Sequence, residues 1–124
     1  MSVVYTDAGA PASASEIRAA CDELGLAHQA WLSGFWAQRN GAMLNDRVLI
    51  YATDLIAERN QTYEIGSSFP GYVSIGDDSG GRLILMPASG DTRFHFIDAG
   101  DPFIDDAEVF ASIEALVAYV DTEE

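Results

Sequence analysis

The residue types that most often carry catalytic or metal chemistry are few in this chain and stand far apart. There are two histidines, His28 and His95, and one cysteine, Cys21. Neither histidine stands in an HExxH motif, and no cysteine lies at metal-ligand spacing from either. We interpret His95, which lies between two phenylalanines, as a surface or half-buried structural residue. Cys21 falls on the apolar stripe of a helix and is expected to be a small buried hydrophobe.

The absence of lysine excludes the reactions that require a lysine side chain. All six basic residues are arginines, so neither a Schiff base nor a P-loop lysine is available. GxSxG and GxGxxG motifs are also missing. The sequence therefore predicts a protein that is not an enzyme and holds no cofactor. A carboxylate pair for general acid–base catalysis stays open among the twenty acids, because no spacing singles out a pair.

A cluster of oxygen-bearing side chains runs from Asp77 to Ser79, followed by Gly80 and Gly81. It lacks the alternating acids and the distal glutamate of an EF-hand loop. Aspartate and glycine both adopt turn conformations at low cost. We interpret the segment as a tight turn and predict no metal site.

The net charge of −14 limits the classes of partner that the chain can bind. Residues 1–69 carry eight acids and four arginines, whereas residues 70–124 carry twelve acids and two arginines. Such a surface repels phosphate backbones and anionic membranes, so direct contact with nucleic acid or membrane is not expected. The sign fits a basic protein partner, or simple solubility.

Length and composition predict one domain over residues 1–124. A chain of 124 residues with 48% hydrophobic residues can bury a core without disulfides or metals. No apolar run is long enough to span a bilayer, and the first residues lack the pattern of a signal peptide. We expect a cytoplasmic protein that is a monomer or a weak dimer.

The periodicity predicts helices first, then strands, then a last helix. Ser13 and Glu16 have the spacing of a capping box, and Gly25 suits a helix end. Thr53 or Asp54 can cap a third short helix. Residues 1–12 are predicted to be a mobile end or to contain a short edge strand at Val3–Tyr5. The other predicted elements are helices at 13–24, 28–40 and 53–60, strands at 43–44, 48–51, 72–75, 83–86 and 94–97, an acidic loop at 98–106, and a helix at 109–120.

In the last helix, one apolar stripe is expected to hold Val109, Phe110, Ile113, Leu116, Val117 and Val120. Asp105, Asp106 or Glu108 would favour its N-terminus through the helix dipole. The order of elements predicts an α+β fold with N-terminal helices, a central, mostly antiparallel sheet and a C-terminal helix.

The middle of the chain resembles the SUKH superfamily, which includes fungal Smi/Knr-type regulators of cell-wall synthesis and many bacterial immunity proteins. The resemblance lies in Tyr72, the Ile-Gly-Asp run that ends at Asp77, and the pair Gly80-Gly81 before an apolar strand. Upstream, an apolar helix ends in Asn40-Gly41, and an amphipathic helix closes the chain. One departure is Arg82, where family members often carry an acidic or amide residue.

The resemblance implies a SUKH-like fold and an immunity protein that binds and blocks a cognate toxin, often a nuclease, in the cytoplasm. The family has no agreed catalytic residues. A regulatory interaction module of the same fold and an enzyme with an unrecognised carboxylate site are the alternatives. A basic toxin groove would meet the acidic second half of the chain. The predicted partner-binding residues are Asp77, Asp78, Asp98, Asp101, Asp105, Asp106 and Glu108.

Overall fold

One antiparallel sheet runs through the computed structural model, which describes residues 3–122. The strands are β1 (Tyr5–Thr6), β2 (Ala42–Leu44), β3 (Val48–Ile50), β4 (Tyr72–Asp77), β5 (Arg82–Pro87), β6 (Phe94–Asp98) and β7 (Glu108–Phe110). The helices are α1 (Ala14–Leu24), α2 (Trp31–Gln38), α3 (Ile56–Thr62), α4 (Ile65–Ser68) and α5 (Ile113–Asp121), with a 3-10 turn at Ile104–Asp106. Within residues 3–122, no helix is both long and apolar enough to cross a membrane.

The order of strands in the sheet follows the chain from β1 to β7, and every neighbouring pair is antiparallel. β5 pairs with β4 on one side and β6 on the other, as its continuous apolar run predicts. The predicted α+β class, with an antiparallel sheet and a C-terminal helix, is confirmed.

The sheet has buried residues on both faces. Successive side chains along each strand point to opposite faces, so each strand contributes to two layers. On one face, Ile84 and Met86 belong to a core built with α1, α2 and α5. On the other face, Leu83 and Leu85 pack with Ile65 of α4 in a smaller cluster. The two helices that follow β3 therefore pack on different faces of the sheet. Ile56 of α3 belongs to the first core, and Ile65 of α4 belongs to the smaller cluster.

The start of the helical layer matches its sequence signals. The Ser13 hydroxyl accepts from the Glu16 amide, and the Glu16 carboxylate accepts from the Ser13 amide, which completes the capping box. Gly25 ends α1 in the left-handed region. Cys21 is fully buried, as predicted, and Trp36 of α2 is fully buried as well. An edge strand is observed near the start of the described residues, as β1, but it covers Tyr5–Thr6 rather than Val3–Tyr5.

The last helix was predicted to begin too early. Val109 and Phe110 lie in β7, where they pair with His95 and Phe94 of β6. Ser112 is the true N-cap, because its hydroxyl accepts from the Ala115 amide at 3.1 Å. Asp105 and Asp106 therefore precede β7 and Glu108 begins it, so none of the three acids lies at the N-terminus of α5.

Other boundaries also differ from the predictions. α2 covers residues 31–38 rather than 28–40, and α3 begins after Leu55 without a side-chain cap. Thr53 does not cap α3, because its amide and hydroxyl bond the side chain of Asn40. Ser67 and Ser68 belong to α4, a segment that no predicted element covers.

An asparagine extends the sheet where β3 is too short to do so. Leu49 and Ile50 of β3 pair only with the end of β4. The Asn60 side chain accepts from the Ser74 amide at 2.8 Å and donates to the Ser74 carbonyl at 2.9 Å. Asn60 thus supplies to a buried part of β4 the two hydrogen bonds that another strand would supply.

A second asparagine joins the two ends of the described chain. The Asn45 side chain accepts from the Val4 amide at 2.7 Å and donates to the Asp121 carboxylate at 2.7 Å. Arg47 lies 3.9 Å from the same carboxylate group. The β2–β3 turn therefore holds both β1 and the end of α5.

We predict that Asn60→Ala lowers the free energy of unfolding by about 1–3 kcal/mol, because it leaves buried backbone groups of Ser74 without partners. Urea unfolding followed by circular dichroism measures the change. Gln61→Ala, at the exposed neighbouring position, is the control and should stay close to wild type. Equal stability of the two variants would contradict the strand-extending role of Asn60.

Candidate protein-binding surface

The β4–β5 turn (78–81) and the loop between β6 and β7 (99–107) leave the sheet at the same end. Arg82 is the register partner of Asp98, and the Ala99 amide donates to the Gly81 carbonyl at 2.9 Å. The structure thus brings together two groups of acids that are separate in the sequence. We call residues 77–82 and 98–108 the acidic end of the sheet, and we refer to the β6–β7 loop together with its flanking strand residues Asp98 and Glu108 as the 98–108 loop.

Asp78 uses its carboxylate to close the turn. Its oxygens accept from the Gly80 amide at 2.8 Å, the Arg82 amide at 3.0 Å and the Arg82 Nε at 2.9 Å. The side chain is only 6% exposed. Burial opposes ionisation, but these hydrogen bonds outweigh it and lower the pKa of Asp78. The predicted turn is confirmed, and Asp78 offers little surface to a partner.

The Asp77 carboxylate also accepts hydrogen bonds from within the protein. Its carboxylate accepts from the Tyr51 hydroxyl at 2.8 Å and from the Ser79 amide at 2.9 Å. Burial, followed by the hydrogen bond to Asp77, raises the pKa of the Tyr51 phenol well above its ordinary value. Gly76 permits the close approach of β3, since a Cβ there would overlap the Leu49 carbonyl oxygen. Both acids of this turn therefore fix the local structure.

The acids of the 98–108 loop differ in exposure and in partners. Asp98 and Asp101 accept from backbone amides two residues ahead, at Gly100 and Phe103. Asp101 is half-buried, whereas the other four predicted contact residues in this loop are exposed: Asp98, Asp105, Asp106 and Glu108. As contacts with a partner, all these residues stay predictions, and the exposed four are the ones a partner can reach.

Two carboxyl groups of the loop interact. A hydrogen bond that protonated Asp106 donates to the Asp101 carboxylate, followed by the negative charge of Asp101, raises the pKa of Asp106. Asp105 adds a smaller effect of the same sign. The crowded negative charge makes ionised Asp106 unfavourable in the free protein, and a cationic group nearby would relieve it.

The same loop presents an aromatic ring to solvent, which the sequence interpretation missed. Phe103 is 66% exposed, the highest value among the large exposed hydrophobic residues of the described chain. It borders an apolar groove of about 230 Å³, walled by Phe69, Pro70 and Tyr72 on one side and Pro102, Phe103 and Ile104 on the other. Asp105 also lines the groove. The available signal was an apolar Pro-Phe-Ile run inside an acidic segment.

A larger, polar cleft, which shares Tyr72 with the groove, lies between α1, α3 and β4. Its volume is about 610 Å³, within the range of about 300–1,000 Å³ common for small-molecule sites. Glu23, Asp54 and Glu58 line it together with Asn60 and Tyr72. Glu23 of α1 thus shares one concave surface with Asp54 and Glu58, which are four residues apart, and the sequence interpretation did not identify this grouping.

The histidines and the cysteine do not converge. His95 is half-buried on the face opposite Phe94 and Phe96, with its ring against Tyr72 at 5.2 Å. Burial and the charge of Arg93 lower the pKa of His95. His28 pairs with Asp22 at 2.6 Å on an exposed surface. Among residues 3–122, no group of three or more His, Cys, Asp or Glu is placed to hold a metal ion.

A scan against protein-family models finds no match, and a search of curated proteins finds no significant match. The likeness to the SUKH superfamily therefore rests on the residues of this chain. Most of those residues have internal roles in the fold, as Asn40, Gly76 and Asp77 illustrate.

We predict opposite effects for two aspartates of the acidic end. Asp78→Asn should lower the free energy of unfolding at pH 7 by about 1–3 kcal/mol, because charged hydrogen bonds to Arg82 are lost. Since the folded pKa of Asp78 lies below the ordinary value of 3.8, the wild type loses this advantage as the pH falls below about 4. Urea unfolding at several pH values measures both effects.

The control is Asp106→Asn, which removes the same charge from a site where it is unfavourable. This variant should be at least as stable as the wild type at pH 7, because the folded pKa of Asp106 is raised. A loss of stability in Asp106→Asn that equals the loss in Asp78→Asn would contradict the assignment of different roles.

Proposed function

We propose that this chain is a non-catalytic binding protein whose partner is a basic protein. The observation that carries the proposal is the 98–108 loop, which contains four exposed carboxylates and the solvent-facing ring of Phe103. Specific interfaces often combine an apolar centre with a polar or charged rim. The net charge of −14 extends the attraction beyond direct contact.

The resemblance to the SUKH superfamily supports a narrower proposal. The chain is then an immunity protein that acts in the cytoplasm and neutralises a cognate toxin of the nuclease type. A nuclease presents a basic groove to phosphates, and an acidic protein can occupy that groove in place of nucleic acid. Opposite charges also speed association by about 10–10³-fold at low salt, which suits an inhibitor that must act quickly.

Four arginines form ion pairs with acids that lie outside the 98–108 loop. Four of the six arginines lie beside a carboxylate: Arg47 by Asp121, Arg59 by Glu58, Arg82 by Asp78 and Arg93 by Asp91. These cations are distributed over the molecule. The exposed acids at 105, 106 and 108 lie close together in the chain. The 98–108 loop is therefore a strong candidate for the contact surface.

The cleft of Glu23, Asp54 and Glu58 favours a second candidate, an enzyme with a carboxylate site. Its volume is large enough for a small molecule, and its acids could act in proton transfer. The two candidates place function at different surfaces, so one pair of variants separates them.

We predict that Asp105→Asn/Asp106→Asn/Glu108→Gln slows association with the basic partner by about 3–10-fold at low salt and flattens the salt dependence. The partner is the basic domain of a toxin encoded beside the gene, or the basic protein retained from lysate by the tagged chain. Surface-based kinetics at low and high salt measure both rates. Glu23→Gln/Asp54→Asn/Glu58→Gln removes the same charge from the cleft and should slow association less.

Cell growth tests the toxin-specific part of the proposal. Expression of the partner alone should arrest growth, and coexpression of this chain should restore it. A harmless partner that still binds would favour the regulatory module of the same fold. A larger loss of binding in the cleft variant, or association that does not change with salt, would contradict binding through the acidic loop.

A further inference from the structure

We propose that the apolar groove beside Phe103 binds one large apolar side chain of the basic partner, within a segment where arginine or lysine flanks that side chain. This inference rests on the proposed function and adds the binding site and the chemistry of the partner segment.

The groove has the size of a side-chain pocket. Its volume of about 230 Å³ is below the range of about 300–1,000 Å³ typical of small-molecule sites. The walls are apolar, with Phe69 and Pro70 facing the Pro102–Ile104 segment. An aromatic or branched aliphatic side chain gains free energy when it leaves water for such a surface.

The walls of the groove are anchored to the smaller core cluster. Ile104 and Tyr72 pack against this cluster, which includes the buried Phe69. Backbone hydrogen bonds run from the Asp106 amide to the Phe103 carbonyl and from the Ala107 amide to the Ile104 carbonyl, both at 3.0 Å. The Asp101 carboxylate accepts from the Phe103 amide at 2.9 Å. Such local order reduces the entropy lost on binding.

The charges at the groove select a basic segment. Asp105 lines the groove, and the interacting carboxyl groups of Asp101 and Asp106 lie within the same loop. A neutral or acidic segment would leave this crowded negative charge uncompensated, whereas a guanidinium or ammonium group would relieve it. Raised pKa values of this kind fall when a cation approaches. Charge complementarity therefore favours a partner segment with cations next to its apolar residue.

Two capped peptides test the proposal by nuclear magnetic resonance titration of the ¹⁵N-labelled full chain. One has the sequence Arg-Arg-Leu-Phe-Arg-Arg, and the other replaces Leu-Phe with Gly-Gly at the same charge. The first should shift amide signals of residues 68–72 and 101–106 and bind at least about fivefold more tightly than the second. Equal affinities, or shifts that map to the cleft of Glu23 and Asp54, would overturn the proposal.

Phe103→Ala should weaken the Leu-Phe peptide by at least about fivefold without a loss of stability, because the side chain is mostly exposed in the free protein. Val109→Ala is the matched control, since Val109 is 51% exposed and does not line the groove. It should bind the peptide as the wild type does. Unchanged affinity in Phe103→Ala would also overturn the proposal.

The basic partner itself separates this inference from the proposed function. If the triple loop variant loses partner binding and Phe103→Ala does not, the acidic surface is correct and the groove is wrong. If the partner binds the wild type with no dependence on salt or on the loop acids, the proposed function fails. The peptide result is obtained without the partner and therefore judges the groove separately.

Discussion

Tyr51 joins the helical layer to the sheet, and the acidic end depends on that junction. Its carbonyl accepts from the buried Trp36 indole at 2.9 Å, its amide donates to the Ile75 carbonyl, and its hydroxyl donates to Asp77. One fully buried residue thus fixes α2, the end of β3 and the start of the β4–β5 turn. Removal of the hydroxyl would leave Asp77 without this donor, where the chain turns toward Asp78 and Arg82.

The acids of this chain serve two different purposes. Asp77 and Asp78 are consumed by hydrogen bonds inside the molecule, and Arg82 also places its guanidinium 4.4 Å from the Phe96 ring centre. Asp105 and Asp106 instead lie at the surface, where a hydrogen bond with Asp101 and the charge of Asp101 raise the pKa of Asp106. The first pair stabilises the fold, whereas the ionised form of Asp106 is unfavourable in the free protein. This difference supports the proposal that the exposed acids serve binding rather than stability.

Local signals in the sequence were enough for the class of fold and for much of the core. The capping box at Ser13 and the apolar run in β5 each depend on residues close in the chain, so periodicity and spacing reveal them. The predicted start of α5 was wrong, because Val109 and Phe110 continue the apolar stripe of that helix in the sequence. Their pairing with β6 is a contact between separate segments that helical spacing does not show. The Asn60 bridge escaped prediction for the same reason, since its partner lies in another element.

The candidate site was harder to predict than the fold. Composition identified the acidic second half, but it could not distinguish buried Asp78 from exposed Asp105, because both stand in segments rich in turn residues. The groove at Phe103 depends on how the 98–108 loop returns over α4, which brings together residues far apart in the chain. The cleft of Glu23 and Asp54 depends on helix packing in the same way.

The sequential order of the strands also has a kinetic consequence. Each strand from β1 to β7 pairs only with its neighbours in the chain, so sheet growth mostly requires the closure of short loops. A nascent chain can therefore add β4, β5 and β6 as successive hairpins while synthesis continues. The bond between Asn45 and Asp121 spans 76 positions and forms only after α5 has emerged. Docking of α5 is thus a late step, which completes the main core after most of the sheet is in place.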